Sequence, residues 1–112
     1  MEGIQHFPNL EKLYCYKNQL TNLDVSKNPE LKQLWCYNNP LTKLDVSRNA
    51  ELKELWCSDN KPSSMDVSKN PKLENLDCYK NQLTELDVSK NTALRYLDCR
   101  QNSLTSLDVS QT

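Results

Sequence analysis

Cysteine recurs at Cys15, Cys36, Cys57, Cys78 and Cys99, and this unbroken step of 21 residues constrains the fold more than any other feature of the chain. Two leucine columns keep the same step, Leu10/Leu31/Leu52/Leu73/Leu94 and Leu13/Leu34/Leu55/Leu76/Leu97. An asparagine column follows at Asn18, Asn39, Asn60, Asn81 and Asn102, then Leu20, Leu41, Leu83 and Leu104, then the block LDVS, whose last copy is Leu107-Asp108-Val109-Ser110. The rung reads LxxLxCxxNxLTxLDVSxNxx. Self-similarity at a fixed step of about 20 to 50 residues marks units that cannot bury their apolar face alone and therefore stack on one another.

Alternation within each rung gives the local structure. Successive side chains of a strand point to opposite faces, so Leu13, Cys15, Leu23 and Val25 are expected to point inward together. Asn-Pro at 28–29 and 70–71, with apolar spacings of two and three, leaves little room for helix beyond a single turn. Stacking at the strand spacing of about 4.8 Å makes five rungs a slab roughly 25 Å long.

The pattern resembles the leucine-rich repeat, whose usual signature is LxxLxLxxN/CxL, and the resemblance runs from Asn9 to the end of the chain. It is most similar to the 21-residue bacterial class with an internal cysteine ladder, as in internalin-J-like surface proteins. In that class the second half of the rung nearly copies the first, and here Leu13-x-Cys15-x-x-Asn18 is echoed by Leu23-x-Val25-x-x-Asn28. The resemblance implies a leucine-rich repeat solenoid, mainly β, of about five stacked rungs with parallel strands on both sides and little or no helix. The expected organisation is a partial rung over 1–9 and five 21-residue repeats over 10–112 in a single solenoid domain, expected to be a fragment of a longer array without a C-terminal cap. A secreted or cell-surface setting in a bacterium is likewise what the resemblance implies, although Met1-Glu2-Gly3 opens without the basic and apolar regions of a signal peptide.

Five cysteines at one inward position invite a chemical reading, and their regularity opposes it. A zinc site needs four ligands converging on a point, whereas one thiol per rung forms a line. Identically directed Cβ vectors suit the disulfide dihedral poorly, and five is odd. A nucleophile needs a neighbouring base, and the only histidine is His6. Free thiols acting as small buried hydrophobes are expected. The asparagines are expected to satisfy turn N–H and C=O groups of their own and adjacent rungs, with Asn28, Asn49, Asn70 and Asn91 forming a second such ladder.

At the ends, Ile4 falls in the Val25 slot and Phe7 in the slot of Asn28, where its ring is expected to plug the open start of the core. Leu94, Leu97, Cys99, Leu104, Leu107 and Val109 are expected at an open far face, which with the strand edges offers a route to a homodimer. The third rung departs from the pattern, with Pro62 and Met65 at leucine positions, and a bent or bulged turn is expected there.

Composition narrows the function classes. A formal charge of −1, from 14 Lys+Arg against 15 Asp+Glu, gives no electrostatic reason for a nucleic-acid or anionic-membrane partner. No apolar stretch approaches the roughly 20 residues that span a bilayer. Gly3 is the only glycine, which removes phosphate-cradling loops and the nucleophile elbow. No cofactor, metal or catalytic constellation can be assembled, so the chain reads as a non-enzyme.

Variable outward positions remain. The first strand supplies three columns: Lys12/Gln33/Glu54/Asn75/Tyr96, Tyr14/Trp35/Trp56/Asp77/Asp98 and Tyr16/Tyr37/Ser58/Tyr79/Arg100. All seven Tyr and Trp residues fall on this face, whereas the other side repeats Asp24/Asp45/Asp66/Asp87/Asp108 and Ser26/Ser47/Ser68/Ser89/Ser110. Large rigid aromatics beside a few charges suit recognition of a protein, and flat rings also suit a glycan. The candidate site is therefore Tyr14, Tyr16, Trp35, Tyr37, Trp56, Asp77, Tyr79, Tyr96, Asp98 and Arg100. The competing reading is a structural or self-associating spacer of a larger surface protein, in which the aromatics only brace neighbouring strands. The aspartate column reads as side chains accepting turn N–H groups, with calcium as the less favoured alternative.

Overall fold

The computed structural model describes residues 3–62 and 64–104, and the backbone of 106–108. It is a flattened coil of 38 × 27 × 17 Å. Its strands are β1 (Lys12–Tyr14), β2 (Gln33–Trp35), β3 (Glu54–Trp56), β4 (Asn75–Asp77), β5 (Glu85–Asp87), β6 (Tyr96–Asp98) and β7 (Ser106–Asp108), preceded by one 3-10 turn at Ile4–His6. Among the described residues, β1-β2-β3-β4-β6 form one parallel sheet. Every pairing advances by one period: Leu13 opposes Leu34, Leu34 opposes Leu55, Leu55 opposes Leu76 and Leu76 opposes Leu97. Parallel pairing in constant register follows from the sequence repeat, because a one-residue slip would turn the inward leucine to solvent.

The core is the predicted set of columns. Leu31, Leu34, Leu52, Leu55, Leu73, Leu76, Val25, Val46, Val67 and Val88 are fully buried. Cys15, Cys36, Cys57 and Cys78 are buried free thiols, and Cys99 is partly exposed. Burial pushes all five thiols up, with Cys78 at about 12. Neighbouring sulfurs add to the effect at Cys36 and Cys57. The thiolate is the reactive form, so Cys15, Cys36, Cys57 and Cys78 are inert as well as inaccessible, and Cys99 is the one a reagent can reach. Iodoacetamide at mildly alkaline pH is expected to modify the folded chain at Cys99 alone and all five thiols after denaturation. Mass spectrometry reads the difference, and rapid labelling of Cys57 in the folded chain would contradict it.

The asparagine ladder bonds as expected. Asn39 Nδ2 donates to the Cys15 and Cys36 carbonyls at 3.1 and 2.9 Å, and its Oδ1 accepts the Asn18 and Leu20 N–H groups at 3.1 and 3.2 Å. Asn39, Asn60, Asn81 and Asn102 thus each tie the turn of their own rung to that of the preceding one. The second ladder is half used. Asn49 Nδ2 donates to Val25 and Asn28 carbonyls, and Asn70 and Asn91 repeat this one rung on, but Oδ1 of Asn28, Asn49, Asn70 and Asn91 is buried without a hydrogen-bond partner.

Four features differ from, or add to, the sequence expectation. Phe7 does not plug the core: its ring is 61% exposed. What carries the period there is backbone, since the Ile4 and Phe7 carbonyls accept from Asn28 Nδ2 as Val25 and Asn28 carbonyls accept from Asn49. Ile4, only partly exposed, packs against the core instead. The second side is a narrower sheet than the first. It consists of one bridge, Asp24 to Asp45, and the β5–β7 pair, with no pairing at Asp66 among the described residues. The interruption falls at the rung carrying Pro62 and Met65, where proline has no N–H to donate. Pro62 is nonetheless buried in the leucine slot, and its carbonyl accepts from Gln82 N–H at 3.3 Å. The expected open face at the far end lies partly outside the described residues, at the Leu107 side chain and at Val109.

The remaining feature was not anticipated. Lys17, Asn38, Asp59, Lys80 and Gln101, one per rung just before the ladder asparagine, all have left-handed backbone, with φ between 54° and 60°. This turn swings the chain off the sheet and aims the next asparagine inward. For residues other than glycine the left-handed region costs about 1 to 2 kcal/mol, a cost Asn38 and Asp59 tolerate better than lysine. Lys80→Gly is therefore expected to raise stability by about 0.5 to 1 kcal/mol, after allowing for the greater freedom of glycine in the unfolded chain. A chemical denaturation midpoint that falls would refute the argument.

Candidate functional site

Strand alternation puts the first-sheet aromatics outside, and the constant register sets them one above another. Tyr14, Trp35 and Trp56 form a continuous stack: Tyr14 and Trp35 have ring centroids 4.2 Å apart at 21°, and Trp35 and Trp56 are 4.2 Å apart at 3°. Beside it Tyr16 and Tyr37 stack at 4.7 Å and 1°, and Tyr37 leans on Trp56 at 6.5 Å and 41°. Five of the ten candidate residues are thus a single ribbed surface. Planar stacking at the strand spacing is the geometry that parallel in-register pairing imposes on flat side chains.

Polar partners from the adjacent column hold the rings. The Tyr14 hydroxyl donates to Gln33 Oε1, and Trp35 Nε1 donates to Glu54 Oε1 at 3.3 Å. Gln33 and Glu54 were not among the expected site residues, although their place in the outward column was visible in the sequence. What sequence could not supply was the side-chain direction that brings each amide or carboxylate to the next ring.

The stack ends at Trp56. The next two residues in its column are Asp77 and Asp98, which lie directly along the sheet from it in register. They have different surroundings. Asp98 is held by the Arg100 guanidinium, with Nε and Nη2 donating to its two oxygens at 3.0 and 2.8 Å, and Arg100 also lies 5.3 Å from the centre of the Tyr79 ring. That pairing holds the Asp98 carboxyl below the ordinary aspartate range and raises the guanidinium. Asp77 has no such partner among the described residues. Its Oδ1 accepts the Tyr79 N–H at 3.1 Å, and burial, with the nearby Asp98 charge, pushes its carboxyl above the ordinary range. Trp56, Asn75, Asp77 and Tyr96 enclose an open hollow of about 420 Å³. Asn75 is the third residue, after Gln33 and Glu54, that the sequence reading left out of the site.

The opposite side carries the aspartate column. Asp24, Asp45, Asp66 and Asp87 each accept the N–H of the serine two residues on, at 2.8 to 2.9 Å, and Ser26 Oγ also donates to Asp24 at 2.6 Å. The serine hydrogen bonds hold all four carboxyls below the ordinary range. These are local turns in which each carboxylate is used by its own rung. The Asp108 side chain lies outside the described residues. No helix among the described residues is long and apolar enough to cross a membrane.

Comparison with known proteins returns the same architecture. The family described as leucine rich repeats (2 copies) matches residues 8–49 and 71–111. The functional domain of InlJ from Listeria monocytogenes, which includes a cysteine ladder, superposes with a TM-score of 0.96 at 33% identity, covering 99% of this chain and 25% of that one. An internalin (inlF) of the same organism gives 0.84 at 22% identity over 92% of this chain and 32% of that one. An internalin C2 (inlC2), also from Listeria monocytogenes, gives 0.79 at 24% over 96% of this chain and 54% of that one. The last two likenesses are of fold alone. The chain thus spans a quarter to about half of the length of these structures. No curated protein sequence matches it.

Proposed function

The chain belongs to the leucine-rich repeat family, and from that premise we propose that it is a non-catalytic recognition module that binds a protein through the aromatic face of its first sheet. The observation that carries the reading is the asymmetry between the two sides. One presents two ring stacks that share Tyr37 and Trp56 as neighbours, whereas the other presents aspartates already engaged by their own turns. Trp, Tyr and Arg are the usual anchors of protein interfaces, because a large rigid ring is immobilised at little entropic cost. Here the rings are braced before any ligand arrives, so most of the ordering is complete in the free chain. A secreted or bacterial cell-surface setting goes with this reading.

The test is a binding screen against protein and glycan arrays, run in parallel with the chain and its Trp35→Ala/Trp56→Ala variant. Protein ligands that the variant loses support the proposal. Ligands held equally by both would place recognition elsewhere, and loss confined to glycans would assign the rings to sugars.

A second reading keeps one observation on its side: the stacked rings satisfy one another, as a spacer whose aromatics only brace the strands would require. Leu94, Leu97, Cys99 and Leu104 are partly exposed at the far end of the sheet, which is where end-to-end self-association of this chain would form. Sedimentation separates the two, since a spacer of this kind dimerises with concentration and shows no array ligand that depends on Trp35 and Trp56.

A further inference from the structure

The repeat contains its own template for a ligand. Where the fifth rung meets the fourth, an aspartate, a guanidinium and an aromatic ring form a closed trio: Asp98 takes both arms of Arg100, and Arg100 lies over Tyr79 of the fourth rung. One rung back, in the same columns, Asp77 takes the place of Asp98, and the place of Arg100 is occupied by Tyr79, which has no charge to offer. The carboxylate is present, the rings beside it are Trp56 and Tyr96 in place of a counterpart to Tyr79, whose slot one rung back is Ser58, and among the described residues no cation is paired with it. Arg100 makes its ion pair with Asp98, and among the described residues it reaches Asp77 only through space, where its charge only partly offsets the burial that raises that carboxyl.

We infer that the hollow bounded by Trp56, Asn75, Asp77 and Tyr96 receives a cationic side chain of the partner protein, an arginine above all, with its guanidinium over Trp56 and paired with the Asp77 carboxylate. Three observations meet there. Trp56 is the last ring of its stack, so the face turned away from Trp35 is not covered by another ring of the column. Asp77 sits in register beside that face, half-buried, with no ion pair among the described residues. Tyr96 closes the hollow from the far side. A guanidinium fits this set better than an ammonium, because it is planar, stacks on an indole and reaches a carboxylate with two parallel N–H groups. It also fits better than a sugar, whose hydroxyls would not neutralise a half-buried carboxylate. An arriving cation favours the charged form of the Asp77 carboxyl, opposing the burial that raises it, and the attraction is stronger at this half-buried site than it would be in open solvent.

This inference rests on the recognition reading above and names the chemistry of one of its anchors. It is tested by titrating the full chain with N-acetyl-arginine amide, its neutral analogue N-acetyl-citrulline amide, the lysine equivalent and methyl glucoside. The indole N–H resonance of Trp56 is followed and assigned with Trp35→Phe. The arginine amide is expected to shift that resonance, with citrulline and the Asp77→Asn variant each weaker by about tenfold or more, the loss expected for a charge-assisted pair in a half-buried site. Asn at 77 keeps the oxygen that accepts the Tyr79 N–H, so the fold is retained. Tyr79→Arg supplies an internal cation to Asp77 in the manner of Arg100, and is expected to abolish the shift while Asp77 stays in place. Equal shifts from arginine and citrulline, no shift at saturating arginine amide, or an unchanged response in Asp77→Asn would each overturn the inference. A glucoside response indifferent to Asp77→Asn would do so as well, and would give the platform to a sugar. An array ligand lost by Trp35→Ala/Trp56→Ala and kept by Asp77→Asn sinks this inference alone, whereas a ligand kept by both variants sinks the recognition reading too.

Discussion

Leucine in place of Asn39 is expected to destabilise the fold by about 3 kcal/mol, a large share of the roughly 5 to 15 kcal/mol that holds a domain of this size together. The side chains are close in volume, so the loss is one of hydrogen bonds and not of packing. Asn39 donates to the Cys15 and Cys36 carbonyls and accepts the Asn18 and Leu20 N–H groups, and it is buried. Leucine satisfies none of these, and each buried group left unpaired costs about 1 to 3 kcal/mol, reduced where water can reach the turn. Asn70→Leu is the informative comparison. Asn70 also donates twice, to Val46 and Asn49 carbonyls, but its Oδ1 accepts nothing, and leucine removes that unpaired acceptor along with the donors. Its cost is expected to be smaller, about 1 to 2 kcal/mol. Urea denaturation of the two variants checks the order. Equal losses, or a larger loss at Asn70, would mean that the two ladders are energetically alike despite their different bonding.

Removal of both indoles, in Trp35→Ala/Trp56→Ala, is expected to lower affinity for the protein ligand by about a hundredfold or more, since interface anchors of this type are commonly worth about 2 kcal/mol or more each. The stability cost is expected to be far smaller than the burial of an indole would suggest. The rings are outside the core, and what is lost is two stacks worth about 0.5 to 1.5 kcal/mol apiece. Circular dichroism and a denaturation curve establish that the variant is folded, and surface plasmon resonance against a ligand from the array reads the affinity. The single variants sharpen the expectation. Trp35 is covered on one face by Tyr14 and on the other by Trp56, so it can offer a ligand only its edge. Trp56 keeps one face uncovered by its column. Trp56→Ala is therefore expected to account for most of the loss, and a result in which Trp35→Ala does the greater damage would show that ligand lies across the edges of the stack.

How much of this was legible in the sequence varies from residue to residue. The inward set was readable because alternation and a constant period leave Leu34, Cys36 and Val46 only one side on which to bury. Hydrogen bonding by Asn39 was readable because an amide at a buried column must be satisfied. The left-handed turn at Lys17, Asn38, Asp59, Lys80 and Gln101 was not readable, because its usual mark is glycine and the chain has only Gly3. Phe7 misled for a related reason: a slot in the period fixes where the backbone goes, and the Phe7 carbonyl does occupy the ladder position, while its ring turns to solvent. For the candidate site, the common face of Tyr14, Trp35 and Trp56 was visible, and the partners Gln33, Glu54 and Asn75 were not, since side-chain direction along a sheet is set by neighbours and not by order in the chain.

Sequence by itself determined the period, the parallel stacking, the buried columns and the side on which the aromatics stand. All of these follow from a step of 21 residues combined with two-residue alternation, which are properties of order along the chain. Only the tertiary structure decided which aromatic faces are covered, that Asp98 is taken by Arg100, and that Asp77 has no ion pair among the described residues. Those outcomes depend on contacts between rungs, where residues 19 to 24 positions apart meet within a few ångströms, and a difference of one residue type at 79 and 100 changes what the neighbouring aspartate can reach.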